Sequence, residues 1–185
     1  MKRPVLFIIA IQCMFLAVCQ AQEKYFTKSG KVSFFSSTAM ENIAAANKSA
    51  VCLLDPKTGE LQFAVLLKGF EFKKALMQEH FNSDYVESDK FPKSEFKGQL
   101  VNNSTVNFSA AGSYKVNVKG KLTIHGVTKD IDVPGTIEVK DGKLTVNSSF
   151  NILIADYNIS VPKLYRDNIS ESIKITVNCT LDAMK

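Results

Sequence analysis

Few side chains in this chain of 185 residues are suited to acid–base or metal chemistry: two histidines, His80 and His125, and the carboxylates around the first of them. Residues 80–98, HFNSDYVESDKFPKSEFKG, crowd one imidazole, several acids, three phenylalanines, a tyrosine and a proline together. A catalytic zinc commonly takes three protein ligands. His80 with Glu79, Asp84 or Glu87 reproduces no metal-ligand spacing, and His125 lies far along the chain. There is also no nucleophile elbow, no glycine-rich phosphate loop and no Cys–His pair at a meaningful spacing. The expectation is therefore no catalytic residue, no metal and no cofactor. One alternative is an enzyme or redox accessory using His80 and His125, which requires both imidazoles in one pocket within reach of a guest.

The elements that would position these residues follow an export signal. Lys2 and Arg3 form a basic n-region, residues 5–18 an apolar h-region, and Cys19-Gln20-Ala21 a small-x-small cleavage site. The predicted division is residues 1–21 as signal peptide and 22–185 as one domain, periplasmic or secreted after cleavage near Ala21. Acylation of Cys19 is disfavoured by the bulk of Val18. The apolar run is shorter than the about 20 residues of a membrane span, and no later segment approaches that length. Net charge is +5 and falls to +3 without Lys2 and Arg3. Its cations are interspersed with acids, so no nucleic-acid partner is expected.

Cleavage leaves Cys52 and Cys179. If their strands both flank the first strand, they stand two strand spacings apart, about 9.5 Å. A disulfide needs Cα atoms within about 7 Å, so two free, buried thiols are expected. Several Asn-x-Ser/Thr triplets occur, among them those at Asn47, Asn102, Asn107, Asn147 and Asn178, and a strand face rich in Asn, Ser and Thr generates such triplets by chance.

Period two dominates the rest. In YKVNVKGKLTIHG, Val116, Val118, Leu122 and Ile124 alternate with Lys115, Asn117, Lys119, Lys121 and Thr123, giving one apolar and one wet face. The same alternation recurs in ELQFAVLL, in KLTVNSSFNILI and in the last strand. Single-faced strands belong to antiparallel sheets. Strands are predicted near 24–36, 49–54, 60–68, 95–102, 113–124, 130–140, 143–154 and 171–181, with hairpin chemistry at Asp141-Gly142 and a turn at Gly126-Val127-Thr128. Two segments read as short helices: STAMENIAAANK, with Ser37 or Thr38 as N-cap, and FKKALMQEHF, with Leu76, Met77, His80 and Phe81 at helical spacing. The predicted class is all-β, an eight-stranded antiparallel barrel with one or two short helices.

The aromatic set Phe70, Phe72, Phe81, Tyr85, Phe91 and Phe96, with Met77, exceeds what one helix on an ordinary sheet would bury. It suits the mouth and wall of a barrel, whose interior is either filled by side chains or holds one small ligand. Gly120 in the inward row points to free room. The cavity candidates are Phe63, Val65, Phe70, Phe72, Met77, Phe81, Tyr85, Phe96, Val118, Gly120, Leu122, Ile124, Phe150 and Ile152, with His80 and His125 as candidate polar contacts. A cavity so lined is dry and suits an apolar guest. A filled-barrel structural or interaction protein stays open beside it.

The order Phe70-x-Phe72, Leu76-Met77-x-x-His80-Phe81-Asn82, Tyr85-x-Glu87-Ser88-x-Lys90-Phe91-Pro92-x-x-x-Phe96-x-Gly98, then Gly120-x-Leu122-Thr123-Ile124-His125-Gly126-Val127-Thr128-Lys129 and Asp156-Tyr157, resembles the YceI-like family of exported bacterial proteins, especially its Bacteroidetes-type branch. The resemblance covers nearly all of residues 22–185. It implies a lipocalin-like barrel with an elongated apolar cavity, binding a polyisoprenoid or isoprenoid quinone, with a homodimer as an open option. Many members carry a histidine in the first strand, where VSFFSS has none, and an arginine near Asp156-Tyr157, where this chain has Ile154-Ala155. Segment 80–98 then becomes a helix and loop leading into the strand at Phe96, acids outward, with Pro92 limiting where that strand begins.

Overall fold

The computed structural model describes residues 24–184, so the expected export signal lies outside the described residues. Nine strands form: β1 (Tyr25–Ser37), β2 (Asn42–Asp55), β3 (Glu60–Leu66), β4 (Glu71–Phe72), β5 (Lys93–Leu100), β6 (Gly112–Ile124), β7 (Val127–Lys140), β8 (Lys143–Leu153) and β9 (Ser172–Ala183). The order β1-β9-β8-β7-β6-β5-β3-β2 is closed by a β1–β2 pairing, which makes an eight-stranded antiparallel barrel. The two-residue β4 pairs outside it, on the upper part of β2. One short helix, α1 (Ala75–His80), runs directly into a wide turn, Phe81–Tyr85, closed by the Val86 N–H donating to the Phe81 carbonyl at 3.0 Å. Closure consumes both free edges of a single-faced sheet and buries its apolar row from all sides.

The turns follow the sequence chemistry. Asp141 and Gly142 adopt φ of 52° and 73°, and His125 and Gly126 adopt 51° and 73°, the paired positive values of tight two-residue hairpins. The β6–β7 turn is thus His125-Gly126, one step earlier than the Gly126-Val127-Thr128 expected. Pro134 sits where the β7–β8 ladder begins, at the Gly135–Ser148 pair, so its missing N–H removes no bond to β8. Pro92 precedes β5 as expected, and its carbonyl accepts the Leu67 N–H at 2.9 Å.

The expected first helix is absent: residues 42–48 belong to β2. Thr38 does perform cap-like bonding, its Oγ accepting the N–H groups of Met40 at 3.2 Å and Glu41 at 3.1 Å, but this closes a β1–β2 hairpin instead of starting a helix. Ala44 and Ala45 then pair with Phe35 and Phe34. Small residues opposite large aromatics fill a pleated surface well, and that packing overrides the helical propensity of alanine.

One end of the barrel is filled. Cys52, Leu54, Leu61, Leu100, Val116, Ile137, Leu144 and Leu181 form a continuous core there with Val106 and Phe108 from the β5–β6 connection. Cys52 and Cys179 belong to this core as free thiols, on the two strands that flank β1. Burial pushes the Cys52 thiol up. The Cys179 sulfur occupies the place a side chain on Gly30 of β1 would need.

Asn47, the first residue of one of the triplets, is fully buried and works as a tie. Its Nδ2 donates to the Leu66 carbonyl at 2.8 Å, and its Oδ1 accepts the Ser49 N–H at 2.8 Å and the Ser49 hydroxyl at 3.0 Å. This joins β2 to the end of β3 just where β3 leaves it. Asn47→Leu leaves the part-buried Leu66 carbonyl and Ser49 N–H without this partner, a loss of about 1–3 kcal/mol in all. Thermal or urea unfolding of Asn47→Leu should show that loss, whereas Lys48→Ala on the exposed face should be near neutral.

Candidate ligand-binding site

Above the filled end the barrel is hollow. A cavity of about 730 Å³ runs from Leu61, Leu100 and Val116 at its floor to Leu76, Leu164 and Tyr165 at an open mouth. Strand alternation supplies the wall: Val118, Leu122 and Ile124 from β6, Phe63 and Val65 from β3, Phe96 from β5, Phe150 and Ile152 from β8. Several of these inward side chains, among them Phe63, Leu122, Ile131, Val133, Phe150 and Val177, are only half-buried. Because they point into the barrel, their accessible surface faces the cavity.

The segment between β3 and β5 makes one wall of the mouth. Phe70 and Phe72 flank Phe34 of β1 at ring separations of 5.4 and 5.7 Å, and Phe81 closes the cluster at 5.5 Å from Phe34 and 5.1 Å from Phe72. Met77 and Tyr85 complete the surface that the α1 segment turns inward. Such tilted and offset pairs add stability beyond their buried area. Burial, and next the charge of Asp84, pushes the Tyr85 phenol up, so it stays a neutral donor at the cavity wall.

Beside Ser94, Glu95, Asn147 and Ser148 on the strands, the mouth carries polar groups of its own. Glu41, from the β1–β2 hairpin, accepts Lys74 Nζ at 2.9 Å and Asn168 Nδ2 at 3.4 Å, and so ties three separate segments together. The Lys74 ammonium holds the Glu41 carboxyl below its usual range. Ser170 N–H donates to the buried Ser36 hydroxyl at 2.9 Å and anchors the loop after β8 to β1. His80 lines the mouth, bonded to Asp84 at 2.7 Å and 6.4 Å from the Tyr165 ring.

Two expected cavity contacts are elsewhere. Gly120 pairs with Gly98, and the Phe96 ring covers both, so Gly120 contributes no cavity surface. His125 is turned away from the cavity. One ring nitrogen meets the Tyr157 carbonyl at 3.1 Å and the other a Glu87 oxygen at 2.7 Å, while the Phe91 ring stands edge-on at 4.7 Å. Phe91 therefore joins this clasp and not the cavity wall. Carbonyl and carboxylate are both acceptors, so the imidazole is the donor in this clasp. His125 thus bonds Glu87 and Tyr157 instead of its own turn, and clamps the loop before β5 and the turn after β8 to the β6–β7 hairpin. His80 and His125 share no partner, which removes the geometric basis for a two-histidine centre. Among the described residues no three His, Cys, Asp or Glu side chains converge as a metal site would require.

The His125 hydrogen bond holds the Glu87 carboxyl below its ordinary value of 4.5. A depressed carboxylate contributes stability that is complete above the unfolded value and is lost as pH falls through the folded one. The melting temperature of the wild type should therefore exceed that of Glu87→Gln by a constant margin above the ordinary carboxylate value, and the margin should shrink as pH falls below it. A margin that does not shrink would mean the clasp carries no charge.

Sequence reasoning missed Ile159, Leu164, Asn168 and Ile169, which the loop between β8 and β9 adds to the mouth. That loop has no period to read, and its only cue was its apolar content. The model of the YceI-like domain matches residues 20–181. The chain belongs to the YceI-like family. Similar solved structures carry the same fold at low identity. A polyisoprenoid-binding domain from Saccharophagus degradans, implicated in plant cell wall breakdown, is 14% identical with a TM-score of 0.77, over 88% of this chain and 99% of that one. BcnA of Burkholderia cenocepacia is 21% identical with a TM-score of 0.68, over 83% and 96%. A YceI protein of Campylobacter jejuni is 18% identical with a TM-score of 0.57, over the whole of both chains. No curated protein matches the chain in sequence. Among the described residues no helix is long and apolar enough to cross a membrane.

Proposed function

We propose that this YceI-like protein binds an apolar lipid of the isoprenoid class in the barrel cavity, as a carrier or store in the periplasm or outside the cell. The observation that carries this reading is the cavity itself: about 730 Å³, walled chiefly by aliphatic and aromatic side chains, with Glu41, Lys74, His80, Tyr165 and Asn168 at its mouth. Each methylene moved from water into such a wall contributes about 0.8 kcal/mol, so a long chain needs few polar contacts. The mouth groups Glu41, Lys74, His80, Tyr165 and Asn168 then face a headgroup while the tail lies between β3, β5, β6 and β8. The relative from Saccharophagus degradans, described as a polyisoprenoid-binding domain, supports the ligand class.

The test is native mass spectrometry and lipid extraction of protein purified from its own host, followed by titration of the delipidated protein with a polyprenyl phosphate and an isoprenoid quinone. A co-purifying isoprenoid, or saturable binding of one of the two, is expected. Protein free of lipid that binds neither would overturn the reading.

A further inference from the structure

We propose that the open end of the barrel docks on a phospholipid bilayer, so that the guest passes between membrane and cavity without crossing water; this rests on the lipid-binding reading above. Exposed large apolar side chains are ordinarily scattered singly. Here Met40 is 72% exposed, Leu76 62%, Leu164 79% and Tyr165 41%. They come from three segments that converge on Glu41, through its bonds to Lys74 and Asn168. Met40 precedes Glu41 in the β1–β2 hairpin, Leu76 is in the first turn of α1, and Leu164 and Tyr165 lie in the turn Lys163–Tyr165. Leu76, Leu164 and Tyr165 also line the cavity, so apolar surface is continuous from the outside of the rim to the interior.

The charges beside these tips select the occupant. Lys73 and Lys74 precede Leu76, and Lys163 and Arg166 bracket Leu164 and Tyr165. Lys74 is committed to Glu41, but Lys73, Lys163 and Arg166 form no ion pair among the described residues. Long basic side chains around a leucine and a tyrosine place their cationic heads at the phosphate level while the apolar tips enter the acyl boundary. Glu79, Asp167 and Asp84, which is bonded to His80, lie near the same end, so the free cations are nearly balanced there. Insertion of the apolar tips is then the main contribution, and anionic lipid strengthens it modestly. A second copy of this chain would supply its own cations against these and is disfavoured. The filled end has nothing equivalent: Val101 and Met184 stand there away from any opening.

The test is co-flotation of the protein lacking residues 1–21 with vesicles of phosphatidylcholine alone and with added phosphatidylglycerol. The wild type should float with both, and more with the second. Met40→Glu combined with Lys163→Glu, neither in the cavity wall, should reduce flotation at least tenfold, with unchanged melting temperature and unchanged affinity for farnesyl phosphate in vesicle-free solution. Leu164→Glu should reduce flotation as well. Flotation that is absent in the wild type, or equal in wild type and double variant, overturns docking. So does a wild-type dimer in sedimentation that the double variant abolishes, since the rim is then a contact between copies. Farnesyl phosphate binding that persists without flotation sinks the docking alone, and flotation without any isoprenoid binding sinks the lipid-binding reading alone.

Discussion

Leu122→Trp is expected to weaken binding of a long isoprenoid at least tenfold while leaving the fold intact. Leu122 lies on β6 opposite Phe96 of β5, half-buried because one side of it faces the cavity. An indole there extends into empty volume and not into packed core, so the usual overpacking cost of about 1–3 kcal/mol should be met only in part. The guest, by contrast, loses the room for two to four methylenes, at about 0.8 kcal/mol each, and about 1.4 kcal/mol corresponds to tenfold in affinity. The control is Lys119→Glu, three residues away on the wet face of the same strand. It breaks the exposed Lys119–Asp132 pair at 2.9 Å, a contact worth about 0–1 kcal/mol, and should leave affinity unchanged. Titration with a polyprenyl phosphate and thermal melting are measured for both variants. Equal affinity loss at equal stability would place the guest outside the barrel.

What could be read from the sequence divides along physical lines. The alternation in β6, β8 and β9 survives because one face is buried and the other wet, and a one-residue slip would exchange the two faces. The α1 segment was legible because Leu76, Met77, His80 and Phe81 keep helical spacing. Residues 42–48 were misread because alanine-rich composition favours a helix locally, while the pairing of Ala45 with Phe34 that decides the matter is made in the folded barrel. The role of His125 was hidden for a similar reason. Its partners Glu87 and Tyr157 lie 38 and 32 residues away in opposite directions, and no local pattern encodes such a clasp. The lower and upper halves of the barrel use one alternation pattern, yet one is filled and the other hollow. The difference comes from Val106 and Phe108, which a connection inserts into the lower half, whereas the loop at the upper end stays at the rim.

Gly120 shows how far parity alone misleads, and it is the site of the second large effect. Inward parity suggested open room at this position, so a bulky residue there would have been expected to block the guest. A β-carbon on Gly120 would instead collide with the Gly98 Cα and the Lys97 carbonyl and lie 2.8 Å from the tip of the Phe96 ring. One on Gly98 would meet the Lys119 carbonyl and lie 2.9 Å from the Gly120 Cα. The two glycines face each other in the β5–β6 ladder and leave the Phe96 ring a bare surface to cover. Backbone cannot give way as a flexible side chain does, so Gly120→Ala is expected to cost about 1–3 kcal/mol or more. For a domain of this size that lowers the melting temperature by about 2–4 °C per kcal/mol. Gly142→Ala is the comparison, with φ of 73° and open space around it, so only the left-handed backbone is strained, at about 1–2 kcal/mol. Adding Phe96→Leu to Gly120→Ala removes one obstacle and leaves the backbone ones, so it should not restore stability. The variants are compared by thermal and urea unfolding. A Gly120→Ala loss no larger than that of Gly142→Ala, or full rescue by Phe96→Leu, would show that close strand approach is not what requires glycine here.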